Sequence, residues 1–82
     1  MSYEEEQFEI QETQDEFKHN FMIWVRDTRS RIGVNQKYIS KAAGIDQAHV
    51  SRLENGLKNP SIETSIRLAS VLGYKIVIVP ID

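Results

Sequence analysis

Gln47, Ala48, Ser51 and Arg52 are the side chains of this 82-residue sequence whose types and spacing best suit recognition chemistry. They recur along one side of a short helical pattern. A glutamine amide and an arginine guanidinium each present two hydrogen-bonding groups in one plane, which matches the edge of adenine or guanine in a DNA major groove. Ala48 offers only a methyl group, suited to apolar contact such as a thymine methyl. Ser51 is short and polar, and its alternative reading is a small surface residue making no decisive contact. Lys37, Lys41, Arg52 and Lys58 surround this face with positive charge. His49 lies in the same stretch, where contact with a nucleic acid is weighed against a solvated surface histidine.

The elements that must position these side chains lie within residues 36–56. Ile39 and Ala43 form an apolar stripe at i, i+4. Gly44 follows where a helix needs a residue of positive φ to stop. Asp46 stands where it can cap a second helix, with Val50 and Leu53 facing inward. Such a tight turn makes two helices cross steeply over one small core and leaves the second with a polar outer face. That is the layout of a helix-turn-helix.

Size and charge bound the rest. Eighty-two residues make one domain with a small core, so dimerisation would add stability. There is no cysteine, hence no disulfide framework and no thiolate metal site. His19 and His49 have no metal-ligand companions at useful spacing. Catalysis has no candidate: there is no Ser–His–Asp pattern, glycine-rich phosphate loop or carboxylate pair. The expectation is a cytoplasmic protein with no cofactor that is not an enzyme, and no apolar run is long enough for a membrane span. The net charge of −2 hides an asymmetry: residues 1–17 carry −7 and residues 18–82 carry +5. The part bearing the motif is basic, as phosphate contact requires.

Along the chain, residues 1–14 are acidic and Gln-rich, and are expected to be a flexible arm. A helix-turn-helix domain follows over 15–73. Phe17, Phe21, Val25, Thr28 and Ile32, flanked by Trp24, predict a first helix that Gly33 closes. Asn35 caps a second over about 36–43, and a third runs over about 47–55 to Gly56. Residues 57–60 lead to a fourth over about 61–72, with Ile62, Ile66, Leu68, Ala69 and Leu72 as its stripe and Gly73 as its stop. Residues 74–82 differ: Ile76, Val77, Ile78 and Val79 are β-formers, and Pro80 ends the run.

From about Val25 to Gly73 the sequence resembles the Cro/cI-repressor (XRE-type) helix-turn-helix family. The matching residues are Arg29, Gly33-Val34-Asn35-Gln36, Ala42-Ala43-Gly44, Val50-Ser51-Arg52-Leu53-Glu54-Asn55-Gly56, and Pro60-Ser61-Ile62-Glu63-Thr64 with Leu68-Ala69. The resemblance implies an all-α, compact four-helix, lambda-repressor-like domain that binds double-stranded DNA. It implies that Gln36, at the start of the second helix, holds a phosphate through its amide and the helix-start N–H, and that Gln47 and Arg52 meet bases. Asn55 and Lys58 stand where the family clamps the backbone. Arg29 and Glu54 stand where it ties the first helix to the third by an ion pair. The sequence departs from the family at Ser40, where alanine is usual, and at Asp46, where serine or threonine is usual. It also departs in the strand after the fourth helix, where phage repressors have a fifth helix.

A lone strand cannot satisfy its own backbone groups. The expected solution is antiparallel pairing with a second copy through Tyr74, Ile76, Val77, Ile78 and Val79, giving a homodimer. That arrangement resembles the dimers of HipB-type antitoxins. The function implied is a homodimeric transcriptional repressor that occupies a palindromic operator and blocks polymerase. The alternative is an antitoxin that binds a toxin and autoregulates its own operon. The acidic arm is then expected either to fold back on the basic face and compete with DNA or to dock a basic partner. A solvated tail is the plainer reading.

Overall fold

The computed structural model describes residues 14–77 and 79–80, with side chains from residue 16 onward. The expected arm at 1–14 lies outside this range but for Gln14, and so do Ile78 and residues 81–82. Four helices follow in order: α1 (Gln14–Ile32), α2 (Gln36–Ala43), α3 (Gln47–Glu54) and α4 (Ile62–Val71). α2 packs on α3 and α4, and α1 packs on α3.

Each helix boundary has a local chemical cause. The Asn35 side chain accepts the Tyr38 N–H at 2.8 Å and starts α2. Ser61 Oγ accepts the Thr64 N–H at 3.1 Å and starts α4. α1 ends where the Val34 N–H reaches back to the Arg29 carbonyl at 2.9 Å, a closure that needs Gly33 at φ 93°. Gly44 does the same for α2 at φ 71°, with the Ile45 N–H donating to the Ser40 carbonyl at 2.9 Å. Asp46 corrects a sequence expectation. It occupies the cap position of α3 in an extended conformation, but its carboxylate makes no capping hydrogen bond.

The core is Phe21, Met22, Val25, Ile39, Ala43, Val50, Leu53, Leu68 and Leu72, with Trp24, Val34, Ile45 and Val71 packed around it. The expected stripes are right at their centres and wrong at their ends. On α1, Phe17 and Ile32 are exposed, while Met22, outside the expected stripe, is buried. Helical spacing alone does not show how far along a helix the covering elements reach. On α4, Leu68, Ala69 and Leu72 are buried but Ile62 and Ile66 face outward. Ser40, at the crossing of α2 over α3, is buried, and its hydroxyl donates to the Lys37 carbonyl at 3.0 Å. The departure from alanine therefore leaves no unpaired group.

After α4, Gly73 allows the Tyr74 N–H to close on the Ala69 carbonyl at 2.9 Å. The Tyr74 ring then meets Trp24 edge-on, with centroids 5.0 Å apart, and Trp24 lies 5.6 Å from Phe21. The described residues contain no strand. A strand is defined by pairing, and the single chain supplies no partner for this segment. Tyr74, Ile76 and Val77 are exposed, and Val79 is half-buried.

Two leucines four residues apart separate core from surface. Leu53 is fully buried and Leu57 is 72% exposed. Leu53→Ala is expected to lower the unfolding free energy by about 2–5 kcal/mol. Leu57→Ala should change it by less than about 0.5 kcal/mol. Urea denaturation followed by circular dichroism gives both numbers.

Candidate nucleic-acid interface

The outer face of α3 is built by exclusion. Val50, Leu53 and Glu54 point inward and are buried, so the other side of the helix must carry the residues between them. Gln47, Ala48, Arg52 and Asn55 are exposed there, and His49 and Ser51 are half-buried. Gln47, Ser51 and Asn55 form one row at i, i+4, i+8, with Ala48 and Arg52 in the row beside it. From Gln47 to Arg52 the axial rise is roughly 7.5 Å, about two base-pair steps at 3.4 Å each. Asn55 Nδ2 approaches Ser51 Oγ only at 3.4 Å, a long contact that leaves both groups available to another partner. Lys37 at the start of α2, Lys41 on α2 and Lys58 in the loop after α3 are exposed as well.

A buried carboxylate holds this face in place. Arg29 Nε donates to Glu54 Oε2 at 2.8 Å, and Arg29 Nη2 donates to Glu54 Oε1 at 2.9 Å. This is a two-pronged pair in which the Glu54 side chain is 2% exposed. Gln36 Nε2 adds a third bond, to Glu54 Oε1, at 2.9 Å. Arg29 Nη1 also reaches the Val34 carbonyl at 3.4 Å, at the turn between α1 and α2. One carboxylate thus joins α1, α2 and α3. Burial alone pushes the Glu54 carboxyl up. The hydrogen bonds from Arg29 and Gln36, with the positive charges of Arg29 and Arg26, outweigh it and hold the group below the ordinary carboxylate range. The same bond, opposed by partial burial, raises Arg29 further.

Gln36 carries a bond that no local signal in the sequence announces. Its amide was expected to hold a phosphate, but one of its N–H groups is engaged by Glu54. The two oxygens of a carboxylate can accept more bonds than the two that Arg29 gives, and Gln36 on α2 supplies a third. Spacing alone cannot show this, because Gln36 and Glu54 are 18 residues apart.

A helix-turn-helix family profile matches residues 25–79, more than half of the chain. The chain belongs to the helix-turn-helix family. An uncharacterized HTH-type transcriptional regulator of Haemophilus influenzae is 35% identical over 54 residues, which are 66% of this chain and 55% of that protein. The uncharacterized HTH-type transcriptional regulator YqaF of Bacillus subtilis is 33% identical over 51 residues, 62% of this chain and 67% of that one. The chain therefore spans about half the length of the first of these relatives and two-thirds of the second. Among solved structures, the restriction-modification controller protein C.AhdI from Aeromonas hydrophila superposes with a TM-score of 0.67 at 25% identity, over 73% of this chain and 91% of that one. A chain of a toxin-antitoxin module from Streptococcus pneumoniae superposes with a TM-score of 0.65 at 19% identity, over 99% of this chain and 94% of that one. At that identity the likeness is one of fold.

Removing the carboxylate should cost far more than removing a surface pair. Glu54→Ala leaves Arg29 and Gln36 without their acceptor and is expected to destabilise the fold by about 3–5 kcal/mol. Glu63→Ala, which breaks the exposed i, i+4 pair of Glu63 with Arg67 at 2.8 Å, should cost only about 0.3–0.5 kcal/mol. Because the folded-state pKa of Glu54 is depressed, its contribution is complete above the unfolded carboxylate pKa of about 4.3. It is lost as pH falls through the lower folded value. Thermal melts between pH 7 and pH 2 should show this loss in the native chain and a smaller one in Glu54→Gln.

Proposed function

We propose that the chain is a sequence-specific DNA-binding transcriptional regulator, a homodimeric repressor that occupies a palindromic operator. The observation that carries this reading is the exposed face formed by Gln47, Ala48 and Arg52 on α3 and Asn55 at its end, held by the Glu54 tie, in a chain of the helix-turn-helix family. The regulators among its relatives and the fold shared with a restriction-modification controller support it. Gln47 takes the two hydrogen bonds of an adenine edge, Arg52 takes guanine or phosphate, and Ala48 packs on a thymine methyl. Lys37, Asn55 and Lys58 hold the sugar-phosphate backbone and set register without reading sequence. His49 and Ser51 adjust the fit from half-buried positions. Gln36 contributes its remaining amide hydrogen and the first N–H groups of α2 to a phosphate. No step needs a cofactor, and repression is steric.

The dimer is formed by residues 74–82, the β-forming tail beyond Gly73, paired antiparallel with a second copy. Residues 15–73 form the DNA-binding domain, and residues 1–14 form an acidic arm. A second reading keeps the same face and adds a toxin as partner. It is motivated by the −7 charge of residues 1–17, which would suit a basic protein. Co-expression with a toxin encoded beside this gene, followed by co-purification, separates it from a plain repressor.

Replacing Gln47 or Arg52 with alanine should cost about 1–3 kcal/mol on the preferred site and relax preference at one position per half-site. Lys58→Ala should instead weaken all sequences alike and reduce the salt slope by about one unit. Binding titrations on the selected site and on random duplex check both. Equal losses on the two DNAs for Gln47→Ala would remove it as a base reader. Half-sites should lie about 10 base pairs apart, measured by footprinting.

Deleting residues from Tyr74 onward should give a monomer with much weaker operator binding. Analytical ultracentrifugation that finds the same dimer would exclude the tail as the interface.

A further inference from the structure

Beside α3, the first turns of α1 and the loop after α3 enclose a cleft. Its floor is Met22 and Leu53, and its rim carries Lys18, His19, Gly56 and Lys58. Among the described residues no carboxylate lines it. Among the described residues, neither lysine nor His19 forms a salt bridge. A Cβ built on Gly56 would lie 3.7 Å from His19 Nδ1, so the loop backbone and the imidazole sit close together. Two ammonium groups with no salt bridge among the described residues, and an imidazole over an apolar floor, favour an anionic chain with some apolar side chains. They do not favour a small neutral ligand.

The sequence supplies such a chain. Residues 1–13 contain Glu4, Glu5, Glu6, Glu9 and Glu12, no basic residue, and the apolar Phe8 and Ile10. They join the fold at Gln14, where α1 begins. His19 is five residues further on, about 7.5 Å along the helix axis. Thirteen residues can extend about 43–47 Å, far more than the cleft requires. The arm therefore meets the cleft at the high local concentration of a tethered ligand.

We propose that the cleft of Lys18, His19 and Lys58 is a docking site for the acidic N-terminal arm of the same chain. Lys58 belongs to both the cleft and the proposed DNA backbone contact. Arm and DNA then exclude one another there, and the arm lowers affinity for every sequence alike. This consequence rests on the DNA-binding reading, whereas the docking itself does not.

The test uses the full chain and two sets of changes: Glu4, Glu5, Glu6, Glu9 and Glu12 all to Gln, and Lys18→Ala, separately and together. The first readout needs no DNA. Neutralising the arm should shift the amide resonances of Lys18, Gly56 and Lys58 and the ring protons of His19, and leave those of Ser65 on α4 unchanged. Unmoved cleft resonances overturn the proposal, even if DNA affinity rises through long-range charge alone. The second readout is affinity for random duplex. Neutralising the arm should strengthen binding about tenfold at 0.01 M salt, where the Debye length is roughly 30 Å, and the gain should vanish towards 1 M, where it is roughly 3 Å. Lys18→Ala should strengthen binding in the native background and not in the neutralised one. Equal weakening in both backgrounds would make Lys18 a phosphate contact and overturn the docking. If no variant binds duplex, the DNA reading fails, and the resonances still decide whether the arm occupies the cleft.

Discussion

The Glu54 carboxylate is the constraint on which the outer face of α3 depends. Three hydrogen bonds converge on its two oxygens, two from Arg29 on α1 and one from Gln36 on α2. A pair this deeply buried is weak evidence of net stabilisation, because desolvating two charges offsets most of their attraction. Its value lies in the asymmetry. A charge that is hydrogen-bonded in only one arrangement of three helices penalises every other arrangement. The apolar core is less selective, since Val50 and Leu53 could slide by a fraction of a turn and remain buried. Geometry on the outer face of α3 is therefore set from the inside of the helix.

The consequence for recognition is mechanical. Gln47 and Arg52 are long side chains, and the base contacts proposed for them need a helix held in a fixed position. α3 has only eight residues, too few to be stable alone. It is held by the tie to α1 and by the turn at Gly44. The half-buried Gln36 belongs to the same tie, so the start of α2 and the face of α3 are not independent surfaces.

Much of this was legible in the sequence, and the parts that were not share a cause. Helix ends were readable because their signals are local: Asn35, Ser61 and the glycines act within a few residues of themselves. The centres of the apolar stripes were readable for the same reason. Phe17, Ile32, Ile62 and Ile66 were misread because burial depends on what another element covers, which periodicity cannot report. Asp46 had the right residue type at the right position, but its side chain makes no capping bond. The Arg29–Glu54 pairing came from family resemblance rather than from spacing. The bond from Gln36 was missed because nothing local marks it. It follows from the accounting of donors around a buried acceptor, which exists only once the helices meet.

The edge-on contact of Tyr74 with Trp24 has an optical consequence. Trp24 is the sole tryptophan of the chain. It stands half-buried at the edge of the core, with Phe21 on one side and the first residue beyond Gly73 on another. Its emission therefore senses two events: opening of the core, and departure of the tail from its seat on α1. The chain carries its own unlabelled fluorophore at the junction between the folded domain and the segment that leaves it.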